Sequence, residues 1–339
     1  MADGTFDQIE VEVSSDVGPI WPLPTRLQPA QAFIEALPYY IPGSHAPVLI
    51  SLTDVPVAVD ASDNHSSDMA QLITYPGEVS GRLVSGNEQD WFAIDARRGE
   101  VLYFEGFAQR INSPMDLDIR ILDGDGETEL LALADQKRNI GGPTFPTAHP
   151  DPVGRWVVPA DGRYLILVRN LIGGQRTDPR RVYRLSIRRE EPDFSLAIIP
   201  HRNVPASLNV ARGGRGILDV IAFRRRGLTS AIRVSAEHLP SGVECPDVWI
   251  GPRVDRTVLV ISADRTATTY FGELRVTGSS ETVNRRIARG GVVVRTGQPN
   301  GWGRLTSQIP LSIAGDAAVR ITANGHETRN HHQIGRAHV

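Results

Sequence analysis

Short runs in which apolar and polar residues alternate, cut at regular intervals by glycine- and proline-containing turns, recur along most of this chain. A period of two marks strands with one buried face, and turn residues at short intervals leave little room for helices. One series of runs falls at 77–83, 90–95, 100–107, 118–122, 154–158, 162–168 and 182–187. Turns such as Asp123-Gly124-Asp125-Gly126, Ala160-Asp161-Gly162 and Gly173-Gly174 separate them. Pro192-Asp193-Phe194 breaks the series. A second follows at 195–199, 208–210, 217–224, 232–237, 257–262, 270–277 and 291–295, with turns at Arg212-Gly213-Gly214 and Leu239-Pro240-Ser241-Gly242. Two such series predict an all-β protein of tandem β-sandwiches.

Length agrees, because 339 residues exceed what one hydrophobic core organises. With 32 glycines and 24 prolines beside 40% hydrophobic residues, the composition is globular and rich in strand punctuation. The net charge of −3 supplies no basic field, so nucleic acid is not an expected partner. Of 36 basic residues only Lys137 is a lysine, a bias that arginine-rich codon usage explains. Cys245 is the single cysteine and reads as a small buried hydrophobe. No apolar run is long enough to span a membrane, and the first residues lack a signal-peptide plan.

The ends suggest an internal fragment. Gln8–Val13 alternates from the outset, Ala30–Leu37 is a short helical possibility, and 47–52 is an apolar strand, so 1–58 reads as the remnant of an upstream sandwich module. Residues 59–73 are small and polar and read as a linker. After the two sandwiches at 74–194 and 195–297, residues 298–332 read as a linker or the start of a further module. The last residues, 333–339, match the in-frame translation of a common sequencing adapter and read as a scar.

The landmarks Val79-Ser80-Gly81-Arg82-Leu83, Gly86-Asn87-Glu88-Gln89-Asp90-Trp91-Phe92, Ser113-Pro114-Met115-Asp116, Ile121-Leu122-Asp123-Gly124-Asp125-Gly126, Pro159-Ala160-Asp161-Gly162-Arg163-Tyr164 and Tyr183-Arg184-Leu185-Ser186 carry a resemblance by their order and spacing. In them, residues 74–194 resemble the bacterial pre-peptidase C-terminal domain, a jelly-roll-like sandwich attached to secreted peptidases and large surface proteins. Residues 195–295 are similar to the immunoglobulin-like module that often follows it, through Leu208–Gly214 and Ala236–Val243. The resemblance implies a secreted or cell-surface, non-catalytic segment with structural or adhesive duties, contacting extracellular protein or polysaccharide. Its alternative is the accessory region of a secreted peptidase or other hydrolase whose catalytic domain lies elsewhere.

Calcium-binding relatives take oxygens from a linker reading Glu-Pro-Asn-Asp and from an Asp-x-Asp before the Tyr-Phe strand. Asn64, Glu88 and Asp90 are the corresponding positions here, and calcium is the one cofactor the resemblance raises. The linker otherwise reads Ser62-Asp63-Asn64-His65, which loses both flanking carboxylates, so a solvated turn that starts a strand is the favoured reading. Asp123-Gly124-Asp125-Gly126 is no EF-hand, since position six is Thr128 and position twelve Ala134. His326 and His331 are five apart, about 140° around a helix, too far round for the two-histidine zinc motif. Asp116 and Asp118 share a strand face and read as solvated or turn-capping. Arg224-Arg225-Arg226 alternates across a strand and reads as a guarded edge. Among the tryptophans, Trp91, Trp156 and Trp249 read as core, and Trp302, placed in a loop, is the candidate ligand contact.

Overall fold

The computed structural model describes residues 36–39, 48–143, 145–172, 177–201, 207–294, 302–306 and 309–318. The expected strand at 8–13, the histidines of 326–331 and the 333–339 tail lie outside them. Among the described residues there is no α-helix, only two 3-10 turns, Ser67–Met69 and Gln109–Ile111. No described helix is long and apolar enough to cross a membrane.

The first described elements are β1 (Ala36–Tyr39) and β2 (Val48–Ser51), an antiparallel pair; of the expected helix Ala30–Leu37, residues 36 and 37 lie in strand and the rest lies outside the described residues. The first sandwich comprises β3 (Val57–Val59), β4 (Gln71–Leu72), β5 (Gly77–Arg82), β6 (Gln89–Ala96), β7 (Val101–Phe107), β8 (Leu117–Asp123), β9 (Glu129–Ala132), β10 (Ala134–Gln136), β11 (His149–Val157), β12 (Gly162–Asn170) and β13 (Val182–Arg189). One sheet runs β10-β11-β7-β13-β5-β3 and the other β4-β6-β12-β8-β9. Their inward residues, among them Phe92, Ile94, Phe104, Ile119, Ile166 and Leu185, form one core. Within it Trp156 meets Tyr164 edge-on at 4.8 Å, a geometry that suits aromatic quadrupoles.

The second sandwich comprises β14 (Asp193–Pro200), β15 (Leu208–Arg212), β16 (Arg215–Arg225), β17 (Ile232–Glu237), β18 (Val243–Glu244), β19 (Val248–Ile250), β20 (Arg256–Ala263), β21 (Tyr270–Ser280), β22 (Arg286–Ile287), β23 (Arg289–Val294), β24 (Trp302–Thr306) and β25 (Ile309–Asp316). Its sheets run β18-β20-β16-β14-β23-β24 and β15-β25-β21-β17-β19. A separate core holds Phe194, Leu218, Val234, Ile261, Val276 and Ile313.

Several expected boundaries shift. Segment 59–73 is no linker: Asp60 N–H donates to Ser80 O (3.0 Å), Trp91 N–H to Asn64 O (2.8 Å), and β4 pairs in parallel with β6. It straps the sheet's outer face, where Trp91, Ala93, Leu122, Leu165 and Leu167 cluster with Ala70 packed against them. Backbone donors and apolar surface at that face would otherwise meet water, which accounts for the strap. The second sandwich likewise continues past 297, because β25 lies between β15 and β21 and brings Ile309, Leu311 and Ile313 into the core. Trp302 sits in a strand, β24, with its backbone opposite Val294, rather than in a loop. Its side chain lies outside the described part.

The tryptophans and arginines depart from expectation as well. Trp249 is 62% exposed on the outer face of β19 and is not core. Arg224 does not guard an exposed edge, for its side chain is 11% exposed and turned onto neighbouring backbone. Its guanidinium donates to Ser230 O (2.6 Å) and Gly251 O (2.7 Å). Arg226 takes a positive φ of 45°, ends the strand, and binds Asp193.

Candidate cation site

The strap and the start of β6 bring acidic and amide oxygens together beside the buried Tyr183. Asn64 and Asp90 are both wholly buried. Asn64 is locked in place twice over: its carbonyl accepts from Trp91 N–H, and its own side-chain Nδ2 donates to Trp91 O at 3.2 Å. Asp90 Oδ2 accepts from the Tyr183 hydroxyl at 2.6 Å. The Tyr183 ring lies flat against β5 where Gly81 has no side chain, since a Cβ there would come 2.2 Å from the ring. Glycine in a strand interior is therefore what lets the hydroxyl reach Asp90.

What remains is unusual. Asp60 Oδ1, Asn64 Oδ1 and Asp90 Oδ1 are buried oxygens with no hydrogen-bond partner. Native proteins rarely leave such acceptors bare, so each calls for a missing partner. Ligand atoms of His65, Glu88 and Asp90 lie within 4.8 Å of one another. His65 Nδ1 is 3.6 Å from Asp90 Oδ1 and 3.3 Å from Gln89 O. Glu88 Oε2 is anchored by Ser85 N–H at 2.7 Å.

The electrostatics follow from crowding like charges in a dry place. Burial pushes the Asp90 carboxyl up to about 7, against the pull of the Tyr183 hydrogen bond and with a further push from Asp60 and Glu88. Burial raises Asp60 as well, offset by the Asn64 amide and reinforced by Glu88. Tyr183 is driven well above its ordinary range, by burial first and then by Asp90, and so it stays a donor. A divalent cation is the natural relief for acids held together in this way.

All three positions expected to bind calcium, Asn64, Glu88 and Asp90, thus gather in one place. The expected turn forms at Gly86–Asn87 and starts β6, but Asp90 itself is buried rather than solvated. Asp60 was missed, because it stands four residues upstream of Asn64, outside the motif that the resemblance aligns. An aspartate otherwise lost in a small, polar stretch was the only available signal.

Other candidates resolve differently. Asp118 is held by Arg120 (2.9 Å) and Arg169 (2.7 Å), an ion-pair network rather than a carboxylate pair poised for chemistry. Asp125 closes the β8–β9 turn by accepting from Glu127 and Thr128 N–H, both at 2.9 Å. The Cys245 thiol is half-buried and pushed up to about 11 by burial, then by Asp247, so it is a poor nucleophile near neutral pH.

No protein family matches the chain by sequence profile, and no curated protein matches it. Solved structures do show likeness. The pre-peptidase C-terminal domain of a collagenase from Bacillus anthracis is similar over 35% of this chain and 94% of its own, with 12% identity and a TM-score of 0.27. PliG of Aeromonas hydrophila, a periplasmic inhibitor of g-type lysozyme, is similar over 39% of this chain and 98% of its own, with 12% identity and a TM-score of 0.24. An FMN-binding β-glucuronidase from Facaelibacterium prausnitzii L2-6 is similar over 75% of this chain and 38% of its own, with 9% identity and a TM-score of 0.27. The first is a solved domain of the family that residues 74–194 resemble; none of the three is an immunoglobulin-like module by name.

Proposed function

We propose that this chain is a non-catalytic accessory segment of a secreted or surface protein, and that Asp60, Asn64, Glu88 and Asp90 hold a calcium ion fastening the strap to the first sandwich. The observations that carry the reading are three buried oxygens without a hydrogen-bond partner, on Asp60, Asn64 and Asp90, and the approach of His65, Glu88 and Asp90 ligand atoms to within 4.8 Å of one another. The donor set is almost all oxygen, three carboxylates and an amide, which suits a hard cation of flexible coordination; water would complete the shell. His65, half exposed, stands on the outer side. Bound calcium would neutralise the repulsion among the acids and supply the partner that each bare oxygen lacks. The duty that follows is mechanical, holding sandwich modules in a fixed array where they contact extracellular protein or polysaccharide.

Calorimetric titration of the chelator-stripped chain with calcium chloride tests this. Saturable binding is expected, together with a rise in melting temperature that Asp90→Asn abolishes. An absence of heat at millimolar calcium would rule the site out.

A further inference from the structure

Between the two sandwiches lies a cleft of about 740 Å³, walled on one side by β7, β11 and β13 and on the other by the end of β16. Nine arginines line it against five carboxylates, so it carries an excess of four positive charges while the chain as a whole is at −3. His149 does not change that balance near neutral pH, because burial and the neighbouring Arg110 hold it uncharged. The excess is local, and both modules contribute to it.

From this geometry we propose that the cleft binds an acidic glycan, a segment of uronic-acid-bearing polysaccharide. Three features favour that class. Guanidinium forks match carboxylates bidentately, and Arg155 from the first sandwich and Arg286 from the second are each about half exposed, at 48% and 47%. Each has one carboxylate partner, Glu190 at 3.4 Å and Asp193 at 2.9 Å, which leaves donors over for a ligand. The interleaved acids that are exposed, Asp54 and Glu105, would repel a dense polyanion such as nucleic acid. They would instead accept hydrogen bonds from sugar hydroxyls, which an acidic peptide does not offer. The cleft shares no residue with the cation site, so the two readings stand or fall separately.

The test is titration of the full chain with oligogalacturonate in EDTA, with maltohexaose and hexaglutamate as controls. Saturable binding to oligogalacturonate alone, weakening as salt rises, is expected. Arg155→Glu and Arg286→Gln should each weaken it about tenfold or more, as loss of a charge-assisted hydrogen bond implies, while the calcium-induced rise in melting temperature persists. The proposal is overturned if oligogalacturonate gives no saturable binding, if hexaglutamate binds as well, or if both variants bind as the parent does.

Discussion

Asp90 is where the sequence's chemistry concentrates, and its behaviour with pH can be worked out. In the metal-free protein its folded-state pKa stands near 7 against an ordinary value of 3.8, so between those limits the folded form keeps a proton that the unfolded form has lost. Stability from this group is complete below about pH 4 and drains away as pH rises through 7. Asp60, raised in the same direction, adds to the slope. In EDTA the protein should therefore melt several degrees lower at pH 8 than at pH 5, and Asp90→Asn should flatten most of that difference; thermal melts at the two pH values decide it. Calcium, which favours the ionised carboxylate, should restore the parent at pH 8 and leave the variant unmoved. Tyr183→Phe should lose about 1–3 kcal/mol in urea denaturation, because it strips the 2.6 Å hydrogen bond from a buried carboxylate oxygen. A loss below a few tenths would mean that the hydroxyl is not what orients Asp90. Of this cluster the linear motif showed Asn64, Glu88 and Asp90 and hid Asp60, since only the fold of the strap turns that side chain inward.

Among the elements, the long strands were legible and the short ones were not. β17 matches its expected run, 232–237, residue for residue, and β5, β12 and β21 differ from theirs by a residue or a few at the ends. Period two announces such strands because one face of each is buried. β4, β18 and β22 have two residues each, too few to show any period, and exist through pairing with a neighbour already in place. β25 was hidden for another reason: its partners, β15 and β21, are about a hundred and about forty residues away in sequence, and non-local pairing leaves no local signature. This placement makes a firm expectation about boundaries. A chain ended at residue 297 should lose the cooperative melting of the second sandwich, because β15 would be stripped of its sheet partner and the core of Ile309, Leu311 and Ile313. Limited proteolysis should then digest 193–297 and spare 57–190. Protease resistance equal to the full chain's would show β25 to be dispensable.

On the scale of the molecule, the question is whether the two sandwiches behave as beads on a string or as one body, and a loop of the first decides it. Between β10 and β11 the chain reaches out and buries Phe145 completely against Ala197, Ile199 and Ile221 of the second sandwich, with Ile140 and Phe223 packed around them. Arg138, on the same loop, pairs with Asp255. The aromatic plug lies on the outer face of β14 and β16, a face that a lone sandwich would leave apolar and wet, so each module covers surface that the other needs hidden. Only three residues, Glu190, Glu191 and Pro192, separate β13 from β14, which leaves little freedom for the modules to swing apart. Burial of a phenylalanine in such a site is worth about 3–5 kcal/mol against alanine, far more than the exposed Arg138 pair contributes. Scanning calorimetry of the parent should thus show the sandwiches unfolding together, and Phe145→Ala should split the trace into two transitions while both cores keep their strands by circular dichroism. Two well-separated transitions already present in the parent, unmoved by Phe145→Ala, would mean that the modules are independent and that the cleft between them has no fixed width; a single transition that Phe145→Ala divides would mean that one side chain sets the spacing at which the arginines of both walls face each other.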